Sequence, residues 1–276
     1  MIRVFISFLI LINFCSVFSQ NQNIIFNDIK FKEAILKSNR QIDINLDGEI
    51  SIKEAISVKI LNLSKSGITN LDEIDLFKNI ELLHCPNNQI KKLKLKGLHS
   101  LKKLIVSDNG METLEITDCP SLFSIMCQTN NLDALNVQGL VNLEILWCQQ
   151  NKLSSLNLYG CYSLRSLYCD ENKLKEINLT GLIQLKDFRC TNNLLKEIDI
   201  KDSPAIAFLY CGNNENLEML FLQNGKREVY PFFIDFSECQ NLKKICVDDE
   251  KYEIDEINKK INLYDRNDIN VSINCN

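Results

Sequence analysis

The stretch Leu143–Ser163, "LEILWCQQNKLSSLNLYGCYS", decides the fold, because the 21 residues on either side repeat its pattern. Shifted by 21, the sequence matches itself without a gap in seven units, beginning at Ile80, Leu101, Leu122, Leu143, Leu164, Leu185 and Ile206. Place four of each unit is Leu83, Leu104, Ile125, Leu146, Leu167, Phe188 and Leu209. Place six is Cys85, Val106, Cys127, Cys148, Cys169, Cys190 and Cys211. Place nine is always asparagine: Asn88, Asn109, Asn130, Asn151, Asn172, Asn193 and Asn214. Apolar residues return at places eleven, fourteen and sixteen, as in Leu153, Leu156 and Leu158.

This is the pattern LxxLxCxxNxL, and from about Val58 to Val247 the chain resembles leucine-rich-repeat proteins. One such unit cannot bury its apolar side alone, so the units are expected to stack into a solenoid. The first xxLxLxx segment predicts a short strand, building a parallel sheet on the concave face. The second, at Leu156 and Leu158, predicts a strand-like segment on the opposite wall, since so short a unit has little room for a helix. The expected fold is a mostly β leucine-rich-repeat solenoid with a small helical N-terminal cap.

On such a strand Leu146 and Cys148 face inward and Trp147, the only tryptophan, faces out. Val106 fills the cysteine slot without sulfur, so the column reads as small core hydrophobes. The asparagines are expected to turn their amides onto loop backbone of their own and neighbouring turns. Stacked parallel strands point their thiols the same way, which suits no disulfide, so the column is expected to be free. Cys119, Cys161 and Cys239 fall at place nineteen and read as core. Cys246 and Cys275 stand apart as the pair that could bridge a C-terminal cap.

Outside the repeats, residues 1–19 ("MIRVFISFLILINFCSVFS") join one positive charge at Arg3 to an apolar run, the form of a signal peptide cut before Gln20. Residues 20–57 form the N-terminal cap, 58–247 the solenoid and 248–276 the C-terminal cap. The first turn, Val58–Asn79, is irregular, with Ser66 in the asparagine place. Residues 215–233 read as an insertion bulging from the last full turn, after which Ile234, Phe236, Cys239, Leu242 and Ile245 resume the register.

The cap holds "DINLDGEISIKE", Asp43–Glu54, with the spacing of an EF-hand loop. Asp43, Asn45, Asp47, Glu49 (through its carbonyl), Ser51 and Glu54 would supply oxygens, and Gly48 the sharp turn. Helices are expected over about Asn27–Ser38 and Ile52–Ile56. One calcium ion is expected, with a dissociation constant of about 10⁻⁴ to 10⁻³ M; the other reading is a cap that keeps the loop shape without the ion. Secreted leucine-rich-repeat proteins of the internalin-like kind also begin with such a cap, and the arrangement is similar to theirs.

The outward places of the concave strands carry Ile105, Met126, Trp147, Tyr168, Arg189 and Tyr210 at place five, with Ile145 and Phe208 at place three. The outward column of the second wall is polar: Lys94, Glu115, Asn136, Asn157, Asn178 and Asp199. A contiguous patch of aromatic, apolar and arginine side chains suits a partner. Cross-strand stacking that only stabilises the sheet gives the same pattern.

A net charge of −5 gives no reason to expect nucleic acid, and beyond the N-terminus no apolar run is long enough for a transmembrane segment. His84 and Cys85 are strand neighbours on opposite faces, and no phosphate loop or zinc spacing is present, so no enzyme is expected. The internalin-like resemblance implies an exported, non-enzymatic protein-binding module working through its concave face, in adhesion or host or surface contact. A glycan-binding or structural envelope component is the alternative, with polysaccharide as ligand. No surface anchor or sorting module is recognisable, which leaves a secreted or cell-surface location as the expectation.

Overall fold

A computed structural model describes residues 22–39, 41–225 and 232–275. The expected signal peptide and residues 226–231 of the expected insertion lie outside them. The repeats wind into a parallel β-solenoid. One nine-stranded sheet runs in chain order through β1 (Ile60–Asn62), β2 (Leu82–His84), β4 (Lys103–Ile105), β6 (Ser124–Met126), β7 (Ile145–Trp147), β8 (Ser166–Tyr168), β9 (Asp187–Arg189), β11 (Phe208–Tyr210) and β13 (Phe233–Asp235). Place-four residues pair in register, Ile125 with Leu146 and Leu146 with Leu167. They are buried, and so are the place-six cysteines.

The opposite wall is a broken sheet. β3 (Lys92–Lys96) pairs with β5 (Thr113–Thr117), and β10 (Glu197–Asp199), β12 (Met219–Phe221), β14 (Lys244–Cys246) and β15 (Asn270–Ser272) form a second patch. Between the patches the described residues hold one isolated bridge, Asn136 to Asn157. The residue at place fifteen varies with the break, Asp199 excepted: it accepts from Lys201 N at 2.9 Å and β10 still forms. Where it is Lys94 or Glu115, five-residue strands form. Where it is Asn136, Asn157 or Asn178, the side-chain oxygen accepts from the N–H two residues on, at 2.9–3.0 Å, and closes a local turn that competes with the ladder.

The asparagine ladder satisfies backbone groups that the tight turn leaves unpaired. Asn151 Nδ2 donates to Cys148 O (3.0 Å) in its own turn and to Cys127 O (3.1 Å) in the preceding one. Its Oδ1 accepts from Leu132 N at 3.0 Å. Place eight, just before it, is left-handed in every turn: Asn87, Asp108, Thr129, Gln150, Glu171, Asn192 and Asn213 have φ between 54° and 57°, apart from Glu171 at 52°. L-residues seldom accept that conformation; here the ladder holds it.

The last turns correct the register read from the sequence. Residues 215–222 do not bulge: Leu217, Leu220 and Leu222 are buried and β12 pairs with β10. Leu209 pairs with Ile234, 25 positions on instead of 21, so this turn is four residues longer (25 − 21) rather than interrupted by a 215–233 insertion. Ile234 is therefore a place-four residue. Cys239 stands in the asparagine place, not place nineteen. Its thiol donates to Cys211 O at 3.3 Å, as Asn214 Nδ2 does to Cys190 O at 3.0 Å one turn earlier. Leu242 and Ile245 then belong to the second wall.

Both open ends are covered. At the N-terminus, α1 (Ile29–Ser38) packs Phe31, Ala34 and Ile35 inward, with the Phe31 ring 6.0 Å from that of Phe77. Its cap residue Asp28 also accepts from Thr69 N (2.6 Å), Thr69 Oγ1 (2.7 Å) and Asn70 N (3.2 Å), fastening the cap to the first turn. α2 (Ile52–Ser57) follows the acidic loop. At the C-terminus, α3 (Lys251–Leu263) and β15 close the end. Arg266 donates to Cys239 O (2.6 Å), Leu242 O (2.8 Å) and Gln240 O (3.2 Å) there. A disulfide joins Cys246 to Cys275. Among the described residues nine cysteines, those of place six included, are free and buried, and burial pushes the Cys85 and Cys127 thiols up to about 12.

Candidate binding surface on the concave sheet

The short strands set every other side chain outward, and parallel registry brings place-five residues of successive turns within ring-stacking distance. Trp147 and Tyr168 lie parallel, with centroids 5.1 Å apart and planes 2° apart. The Arg189 guanidinium is sandwiched between Tyr168 (4.3 Å) and Tyr210 (4.6 Å). Tyr210 meets the Phe233 ring at 5.0 Å, and Lys260 of α3 lies 4.7 Å over Phe233. The result is one continuous stack, two rings and then a cation twice over, from β7 to the C-terminal cap.

The polar atoms of Trp147, Tyr168 and Arg189 are partnered within the sheet. Trp147 Nε1 donates to Ser166 Oγ (3.2 Å), and the Tyr168 hydroxyl to Asp187 Oδ2 (2.5 Å). Arg189 Nε and Nη2 reach the two Asp187 oxygens at 3.2 and 3.3 Å. Burial first, then the hydrogen bond and charge of Asp187, raise the Tyr168 hydroxyl. Burial likewise raises the Asp170 carboxyl beside it. Stacking on both faces and hydrogen bonds at the tips leave Tyr168 and Arg189 few other rotamers, so binding there would cost little further ordering.

Of the residues expected to meet a partner, Trp147, Tyr168, Arg189 and Tyr210 form the stack. Ile105 and Met126 continue its column on β4 and β6. Ile145 is half-buried beside Trp147, and Phe208, 47% exposed, flanks Tyr210. Asp187 lies in the outward place-three column, whereas sequence reasoning missed Phe233 and Lys260 as parts of the surface. Phe233 falls within the expected insertion, and Lys260 belongs to a helix that no repeat pattern foretells. It also missed an apolar group on the solenoid rim, where Val141, Tyr159, Tyr162 and Ile183 are 44–69% exposed.

The acidic loop is closed on itself. Asp43 accepts from Asp47 N (3.1 Å) and Gly48 N (2.9 Å), Asn45 from Asp47 N (3.3 Å), and Asp47 from Glu49 N (2.8 Å). Glu49 pairs with Lys32 at 2.5 Å. Both Glu54 oxygens are engaged: Oε1 by Ile44 N (2.8 Å), Oε2 by Ser51 N (2.8 Å) and Ser51 Oγ (2.7 Å), a capping box for α2. Burial pushes the Glu54 carboxyl up, but these bonds outweigh it and hold it below its ordinary value. The donors match a hard divalent cation in kind. In this arrangement both Glu54 oxygens are turned to Ile44 and Ser51, and among the described residues no three His, Cys, Asp or Glu side chains stand together as metal ligands.

No protein-family model matches the chain, and no curated protein matches it. Solved structures do. Internalin C2 from Listeria monocytogenes is 19% identical, with a TM-score of 0.62 over 81% of this chain and 94% of that one. InlP from the same organism is 18% identical, with a TM-score of 0.57 over 81% and 64%. The functional domain of InlJ from L. monocytogenes, which includes a cysteine ladder, is 18% identical with a TM-score of 0.43 over 72% and 61%. The chain thus spans less than two thirds of InlP and of the InlJ domain. Architecture, register and the likenesses to internalin C2 and InlP agree: the chain has the leucine-rich-repeat solenoid fold of the internalin-like kind.

Proposed function

We propose that this is an exported, non-catalytic binding protein that takes a polypeptide ligand on its concave sheet. The observation that carries the reading is the stack from Trp147 to Phe233, preset and rich in the residue types that dominate interface energies. Its geometry also favours a polypeptide over a sugar. A pyranose packs on an open ring face, whereas Tyr168 has Trp147 on one face and Arg189 on the other, and Tyr210 lies between Arg189 and Phe233. The stack offers ring edges, hydroxyl rims and the flanking apolar Ile145 and Phe208, which suit side chains and peptide groups. No helix among the described residues is long and apolar enough to cross a membrane, and the signal-like N-terminus supports export. Adhesion or contact with another cell's surface is the setting we infer.

A calcium ion at Asp43–Glu54 is part of the same proposal, as a stabiliser of the cap. It requires Glu54 to leave its capping box, which keeps the affinity in the weak range.

The test is a binding screen of residues 20–276 in millimolar calcium against extracellular proteins and a polysaccharide panel. The Trp147→Ala/Tyr168→Ala variant runs alongside. Loss of a protein ligand by the folded variant supports the reading. Equal binding by both proteins, or selective capture of a polysaccharide, overturns it.

A further inference from the structure

A minority of the described lysines stand in ion pairs on this acidic chain. Lys32 pairs with Glu49, and Lys59 and Lys102 both pair with Glu81. Three of the others converge at the N-terminal end of the concave face. Lys30 and Lys37 on α1 and Lys65 on the turn after β1 make no ion pair among the described residues, and all three line one groove between the helix and the first turn. Its other walls are Asn62, Ser64, Ser66 and Ser38, with Glu33 the single acid. The Lys30 ammonium leans in over Gly67, where a Cβ would lie only 3.2 Å from Nζ. Lys65 is held at the groove by a left-handed φ of 52°.

A concave arrangement of three unpaired ammonium groups with hydroxyl and amide donors between them is suited to anions. The groove is continuous with the concave sheet. Asn62 on β1 lines it, and the Asn62 side-chain oxygen lies 2.9 Å from Nδ1 of His84, the first place-five residue of the regular turns. From β1 to Trp147 on β7 is four strand spacings, since β2, β4 and β6 lie between. At about 4.8 Å each this is about 19 Å, or about six residues of extended chain.

We infer that the groove between α1 and β1 is an anion subsite that receives an acidic segment of the polypeptide bound on the concave sheet. This rests on the polypeptide reading above and adds the ligand's chemistry and orientation. The ligand carries carboxylates about six extended residues from its apolar anchor, with the carboxylates toward the N-terminal cap and the anchor at Trp147.

The probe is a fluorescein-labelled hexaglutamate peptide, which has no apolar anchor, titrated at low ionic strength with residues 20–276 and followed by anisotropy. Lys37→Gln/Lys65→Gln is expected to weaken binding by about tenfold, the order set by removing two charge contacts. Trp147→Ala/Tyr168→Ala is expected to bind the probe as the parent does. Circular dichroism melts confirm that both variants are folded. Absence of parental binding, or unchanged affinity in the lysine variant, overturns the subsite. Loss of probe binding in the Trp147→Ala/Tyr168→Ala variant also overturns it, by moving the peptide to the stack. A sulfated oligosaccharide of equal charge that binds tenfold more tightly than the peptide overturns the polypeptide assignment. Failure of the concave reading itself registers in the separate ligand screen, where this probe plays no part.

Discussion

Replacing Asn151 by alanine removes one rung from the middle of the ladder, and the structure limits what that costs. Four hydrogen bonds disappear: from Asn151 Nδ2 to Cys148 O, Cys127 O and Gln149 O, and from Leu132 N to Oδ1. The carbonyls keep other partners, because the neighbouring rungs overlap. Asn172 Nδ2 still donates to Cys148 O (3.1 Å), Asn130 Nδ2 to Cys127 O (2.9 Å) and Thr129 N to Gln149 O (3.0 Å). Only the Leu132 N–H is orphaned in the core, at about 1–3 kcal/mol. With the smaller loss of shared acceptor bonds, the expected destabilisation is about 2–4 kcal/mol, measured by urea unfolding of parent and variant. A loss below about 0.5 kcal/mol would show that the ladder fills space without holding the turn, and would refute the reasoning. Asn151→Asp sharpens the test. Its carboxylate would face the Cys127 and Cys148 carbonyl oxygens without a donor, so its folded pKa rises above the unfolded one. The variant therefore keeps its stability below the unfolded carboxyl pKa and loses it as pH rises through the folded value.

Thr129 is β-branched yet left-handed, with φ of 56°, so Thr129→Asn should stabilise the protein by about 0.5–1 kcal/mol in the same assay. Asp28 titrates the other way from the Asn151→Asp carboxyl. Burial pushes it up, but bonds from Thr69, Asn70 and Lys30 prevail and lower it. Its stabilisation is present above the ordinary value of 3.8 and lost as pH falls through the folded pKa, and Asp28→Asn should flatten that acid limb of the melting curve. The place-six thiols should resist iodoacetamide at pH 8 in the native state and react on unfolding, because burial disfavours their thiolates. Calcium titrated to several millimolar should raise the melting temperature of the parent and leave Glu54→Gln unmoved; no rise in the parent would refute ion binding at the loop.

The solenoid was legible because its information is periodic. Burial at places four and six and the asparagine at nine recur every 21 residues from Asn88 to Asn214, so each unit testifies for the next. The register error at the C-terminus has a physical source in the same repeat. Leu209, Cys211, Asn214, Leu217 and Leu220 step by 2, 3, 3 and 3, and so do Leu156, Leu158, Cys161, Leu164 and Leu167. Ile234, Phe236, Cys239, Leu242 and Ile245 share those steps, so apolar spacing fits either half of the turn. Backbone pairing decides it, and with Cys239 in the ladder place a thiol ends what asparagines began. The left-handed place eight was hidden for another reason. Thr129, Gln150 and Glu171 are poor markers of positive φ, and only the neighbouring ladder makes it tolerable.

The candidate binding surface was legible to the extent that it follows the repeat. Strand alternation alone put Trp147, Tyr168, Arg189 and Tyr210 in one outward column, and stacking distances follow from strand spacing. What turns a column into a locked stack does not recur. Asp187 holds Arg189 and Tyr168 together from place three of a single turn, and Phe233 and Lys260 extend the stack from the long turn and the capping helix. The three lysines of the groove likewise come from α1 and from the irregular first turn, Val58–Asn79, where Ser66 takes the asparagine place. Periodic residues build the scaffold, whereas the features that would distinguish one ligand from another sit where the period fails. Specificity in this chain should therefore be sought first at its two ends, where the caps meet the concave sheet.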